Sequence, residues 1–315
     1  MRNPLAIARR AVGRVRARPW VRWLDRPWMD ASWLLPGPPN RCSMRLLSIR
    51  RSGQHAIVNW IRFQHPGRHC FLNDCKVGES PFAKSVRANS VVRGWAGEHR
   101  YVNWEGELRG RHAKKGLLIH NYEDGDLQRF SETVTREREE EWIGVSRERS
   151  TLIVLRDPYN LLASRLKWFH GRGEVPTMER FGEFRALWKL YAREMLGDTG
   201  WLPEAVHVRY NDWFRSRAYR DELAARIGFV NRDVGVHEVA RWGPALGKPA
   251  ASFDGLRYDG NAQEMRVLDR WREFSTDPFF RAQFEDEELI DLSRRLFGEI
   301  DGTSALVGAR GGGAA

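Results

Sequence analysis

Two segments of this chain join a strand end to a helix start through arginines, an arrangement able to hold phosphate-like anions. In the first, the apolar run Leu46-Leu47-Ser48-Ile49 leads into Arg50-Arg51-Ser52-Gly53, and helical spacing follows at Ile57, Val58 and Ile61. A strand that turns through a glycine into a helix gathers backbone N–H groups, and the helix dipole adds partial positive charge. In the second, Leu152-Ile153-Val154-Leu155 has the continuous β-rich pattern of a strand covered on both faces. Arg156-Asp157-Pro158 ends it, and Pro158 suits the first turn of a helix carrying Leu161, Leu162 and Leu166. Arg156 is thereby set at a strand's carboxyl end, with Ser164 eight residues later on the next helix. Ligands of open α/β sheets bind at that edge. The first segment is not a Walker A loop, which requires G-x-x-x-x-G-K-[ST]; only its Gly53 fits.

Arg51-Ser52-Gly53, together with Arg156-Asp157-Pro158 and Ser164, resembles the two nucleotide motifs of the PAPS-dependent sulfotransferases. A weaker third match is His207-Val208-Arg209-Tyr210-Asn211-Asp212-Trp213, similar to that family's strand ending in Y-E-D before a helix. The resemblance spans Arg45 to Phe297. It implies a P-loop-like fold and 3′-phosphoadenosine 5′-phosphosulfate (PAPS) as sulfuryl donor, with no metal in the transfer. Arg51 is then expected at the bridging oxygen or sulfuryl group. Arg50, Ser52 and the backbone amides of Gly53, Gln54 and His55 are expected around the 5′-phosphate. Arg156 and Ser164 are expected on the 3′-phosphate, where a planar two-pronged guanidinium suits the anion.

An acceptor hydroxyl needs a base. The resemblance implies His120, which follows the short apolar run Leu117-Leu118-Ile119, and imidazole titrates near neutrality. The cytosolic members carry a lysine two residues before this histidine, whereas Leu118 stands here. His55, Glu123 and Asp124 are the competing bases. Ala56 occupies the place of a tryptophan that those members set near adenine, and Trp60 one turn on is expected in the core. Gly247–Gly255 matches the family's late phosphate-covering loop, with Lys248 and Ser252 toward phosphate and Phe253 toward the base.

The elements that must position these groups fit a three-layer α/β/α domain around a mostly parallel sheet, over residues 41–302. Residues 76–116 are expected to form an irregular acceptor-side insertion, and 303–315 a flexible Gly/Ala-rich tail. Glu137–Glu141 reads as a solvated helix face. Phe184, Leu187, Trp188 and Tyr191 mark a core-facing helix within Phe181–Leu196, and Met265, Leu268, Asp269 and Trp271 mark another within Asn261–Phe274.

The chain has 315 residues, enough for a sizeable core, and a net charge of +11 that favours anionic ligands. No nucleic-acid-binding signature is present, so no nucleic acid partner is expected. Cys42, Cys70 and Cys75 are three thiols without a CxxC pair, which indicates neither a disulfide scaffold nor a zinc site and points to a reducing, cytoplasmic compartment. Residues 1–40 interleave arginines with Trp20, Trp23 and Trp28 before Pro36-Gly37-Pro38-Pro39, with no uninterrupted apolar core for a signal or anchor. Residues 1–30 could lie on an anionic membrane surface. The expected function is sulfuryl transfer to a hydroxyl, less readily an amine, of a carbohydrate or lipid-linked acceptor. The alternatives are a nucleotide-dependent kinase, disfavoured by the missing Walker pair, or a non-catalytic binder of anionic glycan or lipid.

Overall fold

The computed structural model describes residues 37–65, 67–84, 102–236 and 265–307. Five strands, β1 (Asn40–Ser48), β2 (His69–Leu72), β3 (Lys115–Glu123), β4 (Ser146–Leu155) and β5 (Val206–Arg209), form one sheet in the order β2-β3-β1-β4-β5. Every neighbouring pair in it is parallel. Helices α1 (Gln54–Gln64), α2 (Trp104–Leu108), α3 (Leu127–Ser131), α4 (Thr133–Ile143), α5 (Pro158–His170) and α6 (Met178–Leu196) lie between strands in the chain. After β5 come α7 (Tyr210–Arg215), α8 (Arg217–Ile227), a 3-10 turn at Arg270–Phe274, α9 (Pro278–Ala282), α10 (Glu287–Phe297) and α11 (Ser304–Val307).

Alternation along the strands feeds two cores. Leu47, Leu118, Tyr122, Ile153 and Leu155 pack with residues of α5, α6 and α10, while Met44, Leu46, Ile119, Leu152 and Val154 pack with α1, α7 and α8. Helices therefore cover both faces of the parallel sheet, the three-layer α/β/α fold expected. Trp60 is fully buried among that second set, and its Nε1 donates to Asn231 Oδ1 at 3.0 Å. Cys42, Cys70 and Cys75 are free, buried thiols.

Local chemistry sets the helix ends. Asp157 caps α5 by accepting from Asn160 N–H at 2.8 Å, with Pro158 in the first turn. Thr177 caps α6 by accepting from Arg180 N–H at 3.2 Å, and Gly197 closes that helix in the left-handed region. Because this cap is exposed, Thr177→Ala should lower unfolding free energy by about 1 kcal/mol, which urea denaturation will show. An unchanged midpoint would mean that the cap adds nothing.

Several expectations are corrected. The first strand starts at Asn40, ahead of the apolar run at Leu46, and β3 runs on to Glu123 rather than ending at His120. Within Asn261–Phe274, the described residues form the short 3-10 turn, not a longer helix. The charged helix α4 is not purely solvated, since Glu139 is buried and pairs with Arg45 at 3.3 Å. Ser304–Val307 is helical with Leu306 buried, so packed structure continues past residue 302. The segment 1–30, the whole Gly247–Gly255 loop and residues 308–315 lie outside the described residues. No described helix is long and apolar enough to cross a membrane.

Candidate functional site

The loops after β1 and β4 sit side by side, because Ser48 pairs with Val154 across those adjacent strands. The first loop is tight. Ser52 N–H donates to Ile49 O at 3.0 Å, and both Arg51 (φ 80°) and Gly53 (φ 85°) take left-handed backbone. Such a φ is uncommon for arginine and marks a conformation imposed by the surroundings. Gly53 N-caps α1 with no side-chain cap, so no capping group competes for the first-turn N–H donors. Glycine is required there on a second count: the Tyr210 ring lies so close that a Cβ would sit 2.2 Å from its Cε2.

Three guanidinium groups converge beside this loop. Ser164 Oγ accepts from Arg51 Nε at 3.2 Å and from Arg270 Nη1 at 3.1 Å. With both lone pairs engaged, the Ser164 hydroxyl proton is left for another acceptor. Arg156 is 3% exposed and lies over the Tyr210 ring at 5.5 Å, with Nη1 donating weakly to Arg51 O at 3.4 Å. Its Nε and Nη2 are buried and have no partner among the described residues. Asp157, the nearest carboxylate in sequence, is occupied by Asn160 and by Asn211, whose Nδ2 donates to it at 2.9 Å.

Burial, and after it this gathering of like charge, depresses the arginine pKa values. Arg51 is pushed down to about 9, by burial first and then by Arg270, Arg156 and Arg165, with Glu123 opposing. Arg156 falls to about 10 through burial and Arg270, against Tyr210 and Asp157. Guanidinium groups remain charged at neutral pH, so the cluster holds repulsion that a bound polyanion would relieve.

The acidic side of the site lies at the end of β3. Glu123 accepts from Arg50 Nε at 2.7 Å and from Gln54 Nε2 at 2.5 Å. Asp124, left-handed at φ 57°, accepts from Arg50 N–H at 2.8 Å and pairs with the buried Arg165, whose guanidinium stacks over Phe184 at 4.2 Å. Arg50 also reaches Asp74 Oδ1 at 3.2 Å. Arg50 and the Gln54 side chain therefore tie the loop to carboxylates instead of joining the arginine cluster, which leaves the Gln54 backbone amide at the helix start. Ser52 is fully buried, and its hydroxyl has no partner among the described residues.

Of the expected bases, His55 sits at this edge. It is partly buried, edge-on to Phe71 at 5.9 Å, and its pKa is lowered by burial and by Arg51 against the pull of Glu123. His120 does not sit there. Strand β3 continues three residues beyond it, and its electrostatic neighbours are Glu139, Arg45 and Arg149. Burial pushes its pKa down to about 4. Lys248, Ser252 and Phe253 lie outside the described residues.

Arg165 and Arg270 belong to the site and were not anticipated. Arg165 had a usable signal, since it is a cation inside the apolar run of α5 between Leu162 and Leu166. Arg270 had none, because a 3-10 turn far along the chain brings it to Ser164. Among the described residues, no three His, Cys, Asp or Glu side chains group as a metal-ligand set.

No family model matches the sequence, and no curated protein matches it. Among solved structures, the sulfotransferase domain from the Synechococcus PCC 7002 olefin synthase is similar over 83% of this chain and 96% of that one, at 13% sequence identity and a TM-score of 0.47. A likeness that distant says nothing about activity.

Proposed function

We propose that the protein transfers a sulfuryl group from PAPS to a hydroxyl, less readily an amine, of a carbohydrate or lipid-linked acceptor. The observation that carries this is the convergence of Arg51 and Arg270 on Ser164, with Arg156 donating to the Arg51 carbonyl, beside a helix start without a capping side chain. A donor with phosphate groups at both the 3′ and 5′ positions supplies two anions for two adjacent loops. Arg156, Arg270 and the Ser164 hydroxyl hold the 3′-phosphate. The amides of Gly53, Gln54 and His55 hold the 5′-phosphate, and Arg51 stands between the two, beside the bridging oxygen.

The transfer is an in-line displacement. The acceptor oxygen forms a bond to sulfur while the bond from sulfur to the bridging oxygen breaks, and the nucleotide leaves as the 3′,5′-bisphosphate (PAP). Arg51 faces the charge that builds on that oxygen, where a fixed cation is most effective. His55 takes the acceptor proton. Its lowered pKa keeps the imidazole neutral at pH 7, and Glu123 nearby favours the cation formed on proton transfer. A kinase fits less well, since the loop lacks the Walker Lys-Ser/Thr pair. A cytoplasmic site of action, with peripheral membrane contact through residues 1–30, belongs to the same proposal and rests on the scarce cysteines and the basic amino-terminal segment.

Label transfer from radiolabelled PAPS to a panel of carbohydrate and lipid acceptors tests the activity. His55→Gln should lower kcat by about 10²-fold while PAP affinity changes little. Because the free imidazole persists to lower pH than usual, the acid limb of the kcat profile should lie below the ordinary 6.5. An acid limb above 6.5, or an unchanged kcat in the variant, would rule out His55 as the base.

A further inference from the structure

The lower half of the sheet carries a polar row where a covered parallel sheet is ordinarily apolar. Arg45 of β1 is in register with His120 of β3 on one side and Thr151 of β4 on the other. All three fall on the same face as the core residues Leu47, Leu118, Tyr122 and Ile153. One step down, Ser43 pairs with Arg149. Helix α4 sets a carboxylate, Glu139, against this row.

These groups line a cavity of about 310 Å³ that also includes Ile143 and Glu204. It is separate from the arginine cluster: His120 lies three residues, about 10 Å, below the carboxyl end of its strand. Two side chains about nine-tenths or more buried present atoms there that make no well-formed hydrogen bond among the described residues, Nδ1 of His120 and Oε1 of Glu139, although the Glu139 carboxylate also interacts with Arg45 and Tyr122. Buried polar atoms are normally satisfied, so two such atoms beside one cavity indicate a ligand that satisfies them.

Both arginines around the cavity are paired. Arg45 pairs with Glu139 at 3.3 Å and donates to Thr151 Oγ1 from Nε and Nη2 at 3.3 and 3.2 Å. Arg149 pairs with Glu140 at 2.5 Å. The imidazole of His120 is held neutral by burial, with Arg45 and Arg149 acting in the same sense and Glu139 against them. The remaining lining carboxylate, Glu204, is exposed, so the buried part of the cavity offers only charges that are already paired. What remains is a carboxylate oxygen, a neutral imidazole nitrogen, Nη1 of Arg45 and the Ser150 hydroxyl, none hydrogen-bonded among the described residues, a mixed set of acceptors and donors that hydroxyl groups satisfy in both senses.

We propose that this cavity is a second binding site, for a neutral polyhydroxylated molecule of monosaccharide size held by Glu139 and His120. It stands independently of the donor site and involves no chemistry on the ligand.

The test uses the full chain labelled with ¹⁵N at histidine and titrated with myo-inositol, with D-glucose and, separately, with sulfate. The His120 ring-nitrogen resonances, assigned with His120→Asn, should shift saturably with one or both polyols, while sulfate leaves them in place. Glu139→Ala should weaken that response at least tenfold, and a matching melting curve will show that the variant is folded. Should Glu139→Ala unfold, Thr151→Val, which keeps the shape and removes a lining hydroxyl, should still weaken it. No saturable shift at His120 with either polyol would overturn the proposal, as would a shift confined to His55 or a response to sulfate alone.

Discussion

Arg156→Ala lowers affinity for PAP by about 10³-fold, on the basis of two charge-assisted hydrogen bonds worth roughly 1.5–3 kcal/mol each. The loss is selective. AMP lacks the 3′-phosphate, so its affinity falls far less and the preference for PAP collapses. The buried Nε and Nη2 of Arg156 carry this expectation, because they are donors without a partner among the described residues. Stability moves differently. The folded-state pKa values of Arg51 and Arg156, about 9 and about 10, lie below the ordinary 12.5, so between those values the unfolded chain binds more protons. Stability therefore rises with pH across that window, and below it the cost of the buried charges is present in full. At neutral pH, PAP should raise the melting temperature of the wild type by relieving that cost. Arg156→Ala removes part of the repulsion together with some packing over Tyr210, so without nucleotide its melting temperature should change little, and its rise with PAP should largely disappear. Calorimetry and thermal melts with PAP and AMP check both halves, and an unchanged PAP affinity would show that Arg156 does not hold the 3′-phosphate.

Gly53→Ala should cost about 2–5 kcal/mol of unfolding free energy and abolish measurable PAP binding, combining left-handed strain with overpacking. The added methyl meets the Tyr210 ring 2.2 Å away, and φ +85° is unfavourable for alanine whatever the space. Tyr210 is itself buried between the loop, Arg156 and Phe214, so it has little room to yield. The double variant separates the two causes. In a Tyr210→Ala background the clash is gone and the same substitution should cost only about 1–2 kcal/mol, the strain alone. Urea denaturation of the four proteins completes the cycle. Equal costs in both backgrounds would show that Tyr210 does not set the requirement for glycine.

The fold was legible because it is written in local patterns. The runs around Leu46 and Leu152 each end in arginine and lead into a helix, and both strands and both helices are present. The nearness of Arg51, Arg156 and Ser164 is legible from the strand-end positions of the two arginines together with the resemblance of both loops to nucleotide motifs. His120 was misplaced because an apolar run reports burial, not strand length. Asn121-Tyr122-Glu123 extends β3 through polar residues that Ser48, Asn73, Arg50 and Gln54 satisfy, and hydropathy does not register such bonds. The same extension brings Glu123 to the edge, where a carboxylate and His55 stand in the place expected of His120. Glu139 hid in a run of charge, because only its partners Arg45 and Tyr122, distant in sequence, turn it inward. Arg270 depends on a long-range contact that leaves no local pattern.

The central claim is that two adjacent loops hold a nucleotide with phosphate at both its 3′ and 5′ ends. Calorimetric titration of the purified protein with PAP, beside AMP and Mg-ATP, tests it most directly. The account predicts tight binding of PAP and a much weaker response to the other two, with the difference lost in Arg156→Ala. Equal affinity for AMP and PAP, or a preference for Mg-ATP, would contradict it.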